Sequence, residues 1–331
     1  MRAIALRQFG GPEVLAVAEV PDPEPGPEEV LIRVAAAGVN RADLLERQGL
    51  YPPPGKLPVH QIPGLEVSGT VEAIGSRVTL FAPDDRVMAL LPGGGYAART
   101  AVHERLVMPV PEQLGLVEAA AIPEAFLTAF DALYQQGGAG PGGRVLVHAG
   151  ASGVGSAAIQ LASQNNMLVF ATVGSQLKLE ACRAFGADRV AIYRHEPFLP
   201  AVRAWSGGRG VDVVLDFIGQ DYLASNLQAL APDGTLVIIG TLSGASATLD
   251  MGLVLGKRLR IQGTALRSRA LERKMELVQR FIREAGPLLN AGRVRPVVDR
   301  IYPLAEAAEA HRYMATNANI GKILLRMEQD A

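Results

Sequence analysis

The sequence predicts an α/β protein in which a doubly wound parallel sheet is inserted into an irregular β domain. Three observations carry this prediction. At 331 residues the chain exceeds what one hydrophobic core usually fills, so two domains are expected. Residues 1 to about 125 are rich in proline, glycine and short valine runs, the texture of short irregular strands. From Gly143 onward, apolar strand candidates alternate with helix-like stretches, which implies a parallel sheet covered on both faces.

Taken in order, residues 29 to 34 and 67 to 74 are strands of the β domain. Residues 119 to 133 have helical periodicity, interrupted at Pro123. Strand candidates follow at 144 to 149, 168 to 173, 189 to 193, 211 to 217 and 234 to 240, with a sixth at 259 to 264. Helices are expected at 176 to 185, 221 to 230 and 271 to 284, and a last strand at 322 to 326. This order assigns residues 126 to 264 to the doubly wound unit. Residues 1 to 125 form the β domain, completed by residues 265 to 331, and the active site is expected in the cleft between the two.

Composition narrows the function. A hydrophobic content of 49% excludes a disordered chain. With 32 basic and 33 acidic residues interspersed, there is no electrostatic case for nucleic acid or an anionic membrane. Cys182 is the only cysteine, so no intrachain disulfide or thiolate cluster can form, and a reduced, cytoplasmic setting fits. The amino terminus lacks a signal-peptide pattern, and no window offers the ~18 apolar residues of a membrane span.

The most informative segment is Gly150-Ala151-Ser152-Gly153-Val154-Gly155, lying between an apolar strand and a helical pattern. A strand, a glycine turn and a helix start let backbone amides and a partial positive charge meet a pyrophosphate. Dinucleotide binding is therefore expected at Gly150, Ser152, Gly153, Val154 and Gly155. An NAD-preferring fold usually places an acidic residue about 20 positions after the turn. Between Ala151 and Leu179 there is none; the second strand ends instead in Thr172-Val173-Gly174-Ser175-Gln176-Leu177-Lys178. Gly174, Ser175 and Lys178 suit a 2′-phosphate, so NADPH is favoured, and Tyr193 at the end of the third strand is a further candidate for the same pocket.

Several strings resemble the zinc-free NADPH:quinone oxidoreductases of the medium-chain dehydrogenase/reductase superfamily. They are Gly38 to Leu44, Pro63 to Gly69, Ala121 to Ala125, Leu127 to Ala129 and Asn319 to Lys322. Asn40 to Leu44, Leu91 to Gly95 and Leu266 to Arg269 are similar to the p53-inducible type of that group in animals. The resemblance implies a GroES-like β domain and a Rossmann domain. It also implies a homodimer built by joining two nucleotide-domain sheets, with residues 237 to 239 and 247 to 249 as the expected edge. Zinc-dependent relatives carry Cys where Asn40 stands and His where Leu65 stands, and the five histidines show no ligand-like spacing, so no metal is expected.

Against that background Asn40 is assigned to the nicotinamide side of the pocket, bonding acceptor carbonyl or cofactor, or else to capping the helix that starts at Arg41. Tyr51, in the proline-rich stretch Gly49 to Gly55, either donates to or stacks on an acceptor, or packs on its prolines. Thr128 resembles a family threonine near the nicotinamide, with bonding to its own backbone as the alternative. The resemblance also places Gly240, Thr241, Leu242, Ala265, Leu266, Arg267 and Asn319 at the cofactor. Glu66 and Asp43 are expected in structural ion pairs with Arg41 or Arg47. Cys182 is expected to be packed rather than reactive. The function expected is NADPH-dependent reduction of quinones or similar electrophilic carbonyl compounds by direct hydride transfer. An enone or enoyl-thioester reductase and a non-catalytic NADPH sensor are the alternatives.

Overall fold

The computed structural model describes residues 1–51, 53 and 60–328. Pro52 and Pro54 to Gly55, which belong to the proline-rich stretch after Tyr51, lie outside the described residues. The chain divides into two compact units, Met1–Leu127 with Leu266–Ala331, and Thr128–Ala265.

In the first unit a seven-stranded sheet is organised around the long strand Glu29–Val39. Glu66–Ile74 pairs antiparallel along one side of it. The other side is shared: residues 29–33 pair with Arg99–His103, and residues 36–39 pair with the carboxyl-terminal strand Lys322–Arg326. Two register shifts bend Glu29–Val39 between these partners, as bulges do. The register Ile323↔Val39 sets Lys322 beside Asn40. Arg86–Leu90, Val107–Pro109 and Val298–Pro303 complete the sheet. Val30, Ile32, Ala36, Ala37, Val39, Val67 and Val71 have no exposed surface, so the strands are held by inward-facing apolar residues.

The second unit is a six-stranded parallel sheet in the order Arg189–Ile192, Leu168–Val173, Arg144–Val147, Val211–Asp216, Leu230–Ile238, Arg260–Gly263. The central strands are apolar throughout because helices cover both faces. Leu146, Phe170, Val214 and Leu236 form one core with Phe198 and Val202 of helix Phe198–Trp205 and Leu227 of helix Leu223–Ala229. Truncating the fully buried Phe170 to Ala is expected to cost about 3–5 kcal/mol. The winding direction reverses beside Arg144–Val147, and the glycine turn leaves that strand at the switch point.

Two details differ from the sequence reading. Pro123 does not interrupt a helix but begins one, Pro123–Phe130, after the short helix Leu116–Ala119; proline lacks the N–H that a first helical position leaves unused. The stretch 237–239 is not at an edge, because Leu230–Ile238 is flanked on both sides, and residues 247–249 are not in a strand. Helix Met251–Lys257 returns the chain for one more parallel strand, so Arg260–Gly263 is the edge on that side, and all four of its residues are exposed.

Candidate active site

The polar centre of the first unit is the carboxylate of Glu66, with no exposed surface. Its Oε1 accepts from Lys322 Nζ at 2.6 Å and from Asn40 Nδ2 at 2.9 Å, and its Oε2 accepts from the backbone N–H of Glu124 at 2.8 Å. Lys322 Nζ also donates to Asn40 Oδ1 at 2.6 Å and to the Val39 carbonyl at 2.8 Å. All three ammonium hydrogens therefore have acceptors, which is how a buried charge is tolerated. Gly38 is required here by close approach: a Cβ on it would lie 2.2 Å from Glu66 Oε1.

Asn40 stands at the N-cap position of helix Arg41–Arg47, yet its amide is turned inward to Lys322, Glu66 and the Gly38 carbonyl. Its backbone N–H donates to Asp43 Oδ2 at 2.8 Å. Tyr96 OH donates to the same oxygen at 2.9 Å and lies 3.1 Å from His311 Nε2. Burial raises the Asp43 carboxyl to about 7, against the hydrogen bonds from Asn40 and Tyr96. Burial, and then the nearby Arg47 charge, lowers His311 to about 3, so that ring is neutral.

The expected ion pairs of Asp43 and Glu66 with Arg41 or Arg47 are thus replaced. Glu66 pairs with Lys322, and Asp43 has hydrogen-bond donors instead of a cation. Arg41 reaches Met314 and Asn317, while Nε and Nη1 of Arg47 have no hydrogen-bond partner among the described residues. Sheet pairing across the chain, not neighbourhood in sequence, brings the cation to Glu66.

Tyr51 and Glu124 sense each other's charge in this unit. Burial, and then Glu124, raises the Tyr51 phenol above its ordinary value, and burial followed by the charge of Glu66 raises the Glu124 carboxyl to about 8. Both groups therefore carry a proton at neutral pH. The Arg267 guanidinium donates to the carbonyls of Tyr51 and Pro92 and to Glu46, so its side chain is committed within the protein.

In the second unit the strand Arg144–Val147, the turn and the helix Gly153–Gln164 form the expected cradle. Ser152 is the N-cap, and its Oγ accepts from Gly155 N at 3.0 Å. A Cβ on Gly155 would lie 2.4 Å from the Ala149 carbonyl, so only glycine lets the turn close. Gly150 is buried against Ala171 and Cys182, and Gly153 and Val154 open the helix, which has no acidic residue in its first turn. A pyrophosphate therefore meets free helix-start amides and no like charge.

Ser175 caps the helix Gln176–Ala184, accepting from Lys178 N. Tyr193 is 45% exposed, with its hydroxyl 2.7 Å from where a Cβ of Gly174 would stand, so it lies beside the residue that precedes the Ser175 cap. Thr128 is the first residue of the second unit and is buried. Gly240, Thr241 and Leu242 follow the fifth strand and pack beside Phe217 and Gly219, with Leu242 exposed. Ala265 is exposed, Leu266 is buried, and Asn319 Nδ2 donates to Gly321 O at 2.7 Å. Cys182 is buried, and desolvation pushes its thiol up to about 12, which makes it inert.

Lys322, Glu124, Tyr96, His311 and Glu46 were not singled out as site residues in the sequence. Lys322 ends the string Asn319 to Lys322 and Glu124 lies within Ala121 to Ala125, so these two had a signal in the resemblance. His148 is likewise packed, between Thr172 and Asn226, and burial lowers it to about 4.

A zinc ion does not fit the β-domain cluster. Asn40 and Leu65 stand where zinc-dependent relatives have ligands, and Glu66 is occupied by an ammonium group at 2.6 Å. Among the described residues no three His, Cys, Asp or Glu side chains are grouped to hold a metal. No helix among them is long and apolar enough to cross a membrane.

A doubly wound sheet with a phosphate cradle, joined in sequence to a GroES-like β unit, defines a two-domain dinucleotide-dependent oxidoreductase. Residues 26–112 match the alcohol dehydrogenase GroES-like domain, and residues 185–325 match the zinc-binding dehydrogenase family. The chain is 33% identical to the quinone oxidoreductase of Lama guanicoe, over 99% of this chain and 98% of the relative. It superposes on Escherichia coli quinone oxidoreductase complexed with NADPH with a TM-score of 0.89 and 29% identity, covering 98% of this chain and 100% of that one. It also matches an NAD-dependent alcohol dehydrogenase with a TM-score of 0.87 and 36% identity, covering 99% and 100%. The chain belongs to the quinone oxidoreductases of the medium-chain dehydrogenase/reductase superfamily.

Proposed function

We propose that this protein is an NADPH-dependent reductase of quinones that works by direct hydride transfer and without zinc. The observation that carries the reading is the Lys322 ammonium bonded to both Asn40 and Glu66, a cation already seated where zinc-dependent relatives gather metal ligands. Relatives of the chain named as quinone oxidoreductases, and one solved with NADPH, support the acceptor class and the cofactor.

When bound, NADPH supplies the hydride. The chain's own part is binding and orientation. The helix-start amides of Gly153 and Val154 and the Ser152 cap hold the pyrophosphate, and Lys178, Ser175, Gly174 and Tyr193 receive the 2′-phosphate. Within the nucleotide unit, Thr128, Gly240 to Leu242 and Ala265 are the candidates for the nicotinamide half. Asn40, locked by Lys322 and Glu66, is a fixed pocket wall. Tyr51 keeps its proton and can donate to an acceptor oxygen as negative charge develops there.

Glu124 gives specific support to a second reading, reduction of an activated carbon–carbon double bond in an enone. Such a reaction requires an acid for the α carbon, and the Glu124 carboxyl holds its proton up to about pH 8. NADPH consumption with ortho- and para-quinones beside enones, repeated with NADH, separates the readings. Turnover confined to quinones with NADPH supports the first, and enone turnover supports the second. Tight NADPH binding with no turnover of any acceptor makes the chain a sensor.

The reading includes a cytoplasmic homodimer. Its support is the exposed edge strand Arg260–Gly263, with Leu255 and Met251 80% and 74% exposed in the preceding helix. Sedimentation equilibrium tests it, and a monomer at micromolar concentration rejects it.

A further inference from the structure

Arg267 is 5% exposed and lies in the segment that follows the sixth strand of the nucleotide unit. All three of its nitrogens donate within the protein: Nε to Pro92 O at 2.8 Å, Nη1 to Tyr51 O at 2.9 Å and Nη2 to Glu46 Oε1 at 2.8 Å. The guanidinium carbon also lies 5.4 Å from the centre of the Tyr51 ring, within cation–π range. Glu46 is 1% exposed, and its Oε1 takes a second bond from Gln61 Nε2 at 3.3 Å. One buried ion pair therefore reaches residues on both sides of the stretch 52 to 60: Tyr51 through Arg267, and Gln61 through Glu46. The Arg267 backbone is itself fixed, because its carbonyl accepts from the buried Lys274 Nζ at 3.4 Å.

We propose that Arg267 is a positioning residue for the acceptor side of the site: with Glu46 it ties Tyr51, Pro92 and Gln61 into one frame and sets where the Tyr51 phenol stands. The proposal rests on the reading that Tyr51 faces the acceptor. The arrangement requires arginine in particular. A planar fork serves three acceptors in fixed directions while its face meets a ring, whereas a lysine ammonium is a compact point charge with no such plane.

The test compares wild type with Arg267→Lys and Glu46→Gln, both of which keep a polar group in the buried position, and with Arg267→Ala supplemented with ethylguanidinium. The expected result for Arg267→Lys is a quinone KM raised roughly tenfold or more, because small misplacements of a positioning group are costly, with the NADPH KM unchanged within about twofold. Ethylguanidinium is expected to restore part of the lost kcat/KM in Arg267→Ala, which a general loss of folding does not allow. Equal rises in both KM values, or an unchanged quinone KM in Arg267→Lys and Glu46→Gln, overturn the proposal and leave the quinone reading standing. Absence of quinone turnover in wild type overturns the functional reading itself, and the positioning role with it.

Discussion

Lys322 Nζ lies 2.6 Å from Glu66 Oε1, and the two side chains are 5% and 0% exposed. The pair joins the carboxyl-terminal strand to the strand Glu66–Ile74 across Asn40. Removing one member leaves an uncompensated buried charge, so Lys322→Met is expected to lower stability by about 3–5 kcal/mol. The double variant Lys322→Met with Glu66→Gln is expected to regain most of that loss. Urea unfolding measures both, and a loss under about 1 kcal/mol for the single change contradicts the view of this pair as a buried, mutually dependent unit.

Gly155→Ala is expected to damage cofactor binding before it damages the fold. Its new methyl group would sit 2.4 Å from the Ala149 carbonyl and 2.8 Å from Gly150, forcing the turn open just where the pyrophosphate amides converge. A Kd for NADPH raised at least ~10-fold, read by calorimetry, is the expected outcome. Unchanged affinity places the phosphates elsewhere.

Lys178→Ala separates the two cofactors. A charge-assisted hydrogen bond is worth about 1.5–3 kcal/mol, so losing one raises the NADPH KM by about 10- to 100-fold, whereas NADH has no 2′-phosphate to lose it. Equal effects on both cofactors remove this account of specificity.

Asp43 and His311 pull the pH dependence of stability in opposite directions. With Asp43 at about 7 in the folded state and about 3.9 unfolded, the folded protein holds a proton that the unfolded chain has released, so stability falls as pH rises through that window. With His311 at about 3 folded and about 6.5 unfolded, the unfolded chain takes up the proton, so stability falls as pH drops through its window. The slopes offset each other between about pH 4 and 6.5. Asp43→Asn is expected to unmask the His311 limb, adding up to about 1.4 kcal/mol per pH unit to the rise in stability over that range relative to wild type. Thermal or urea unfolding at several pH values checks it, and an unaltered profile shows that Asp43 is not protonated in the fold.

Elements whose signal lies within a few neighbouring residues were legible in the sequence. Helix Leu271–Glu284 and strands Leu168–Val173 and Lys322–Arg326 have the limits their periodicity marks. The turn Gly150 to Gly155 announced itself by its glycines and its flanks, and the missing acidic residue before Leu179 was readable as an absence of repulsion. Residue types at family positions were readable as well, Asn40 and Leu65 among them.

Pairings between distant residues were decided only by tertiary structure. Nothing near Glu66 identifies Lys322 as its cation; the register Ile323↔Val39 does, because antiparallel pairing carries a residue 256 positions away to the end of the neighbouring strand. Arg267 was expected at the cofactor from its place after the sixth strand. The partners its guanidinium takes, the buried Glu46 carboxylate and the carbonyls of Tyr51 and Pro92, were not legible, since a buried charge bonds acceptors wherever the folded chain brings them. The sheet edge moved from residues 237–239 to Arg260–Gly263 for the same reason. Periodicity reports which face of a strand is buried, whereas its neighbours depend on how the whole sheet is ordered.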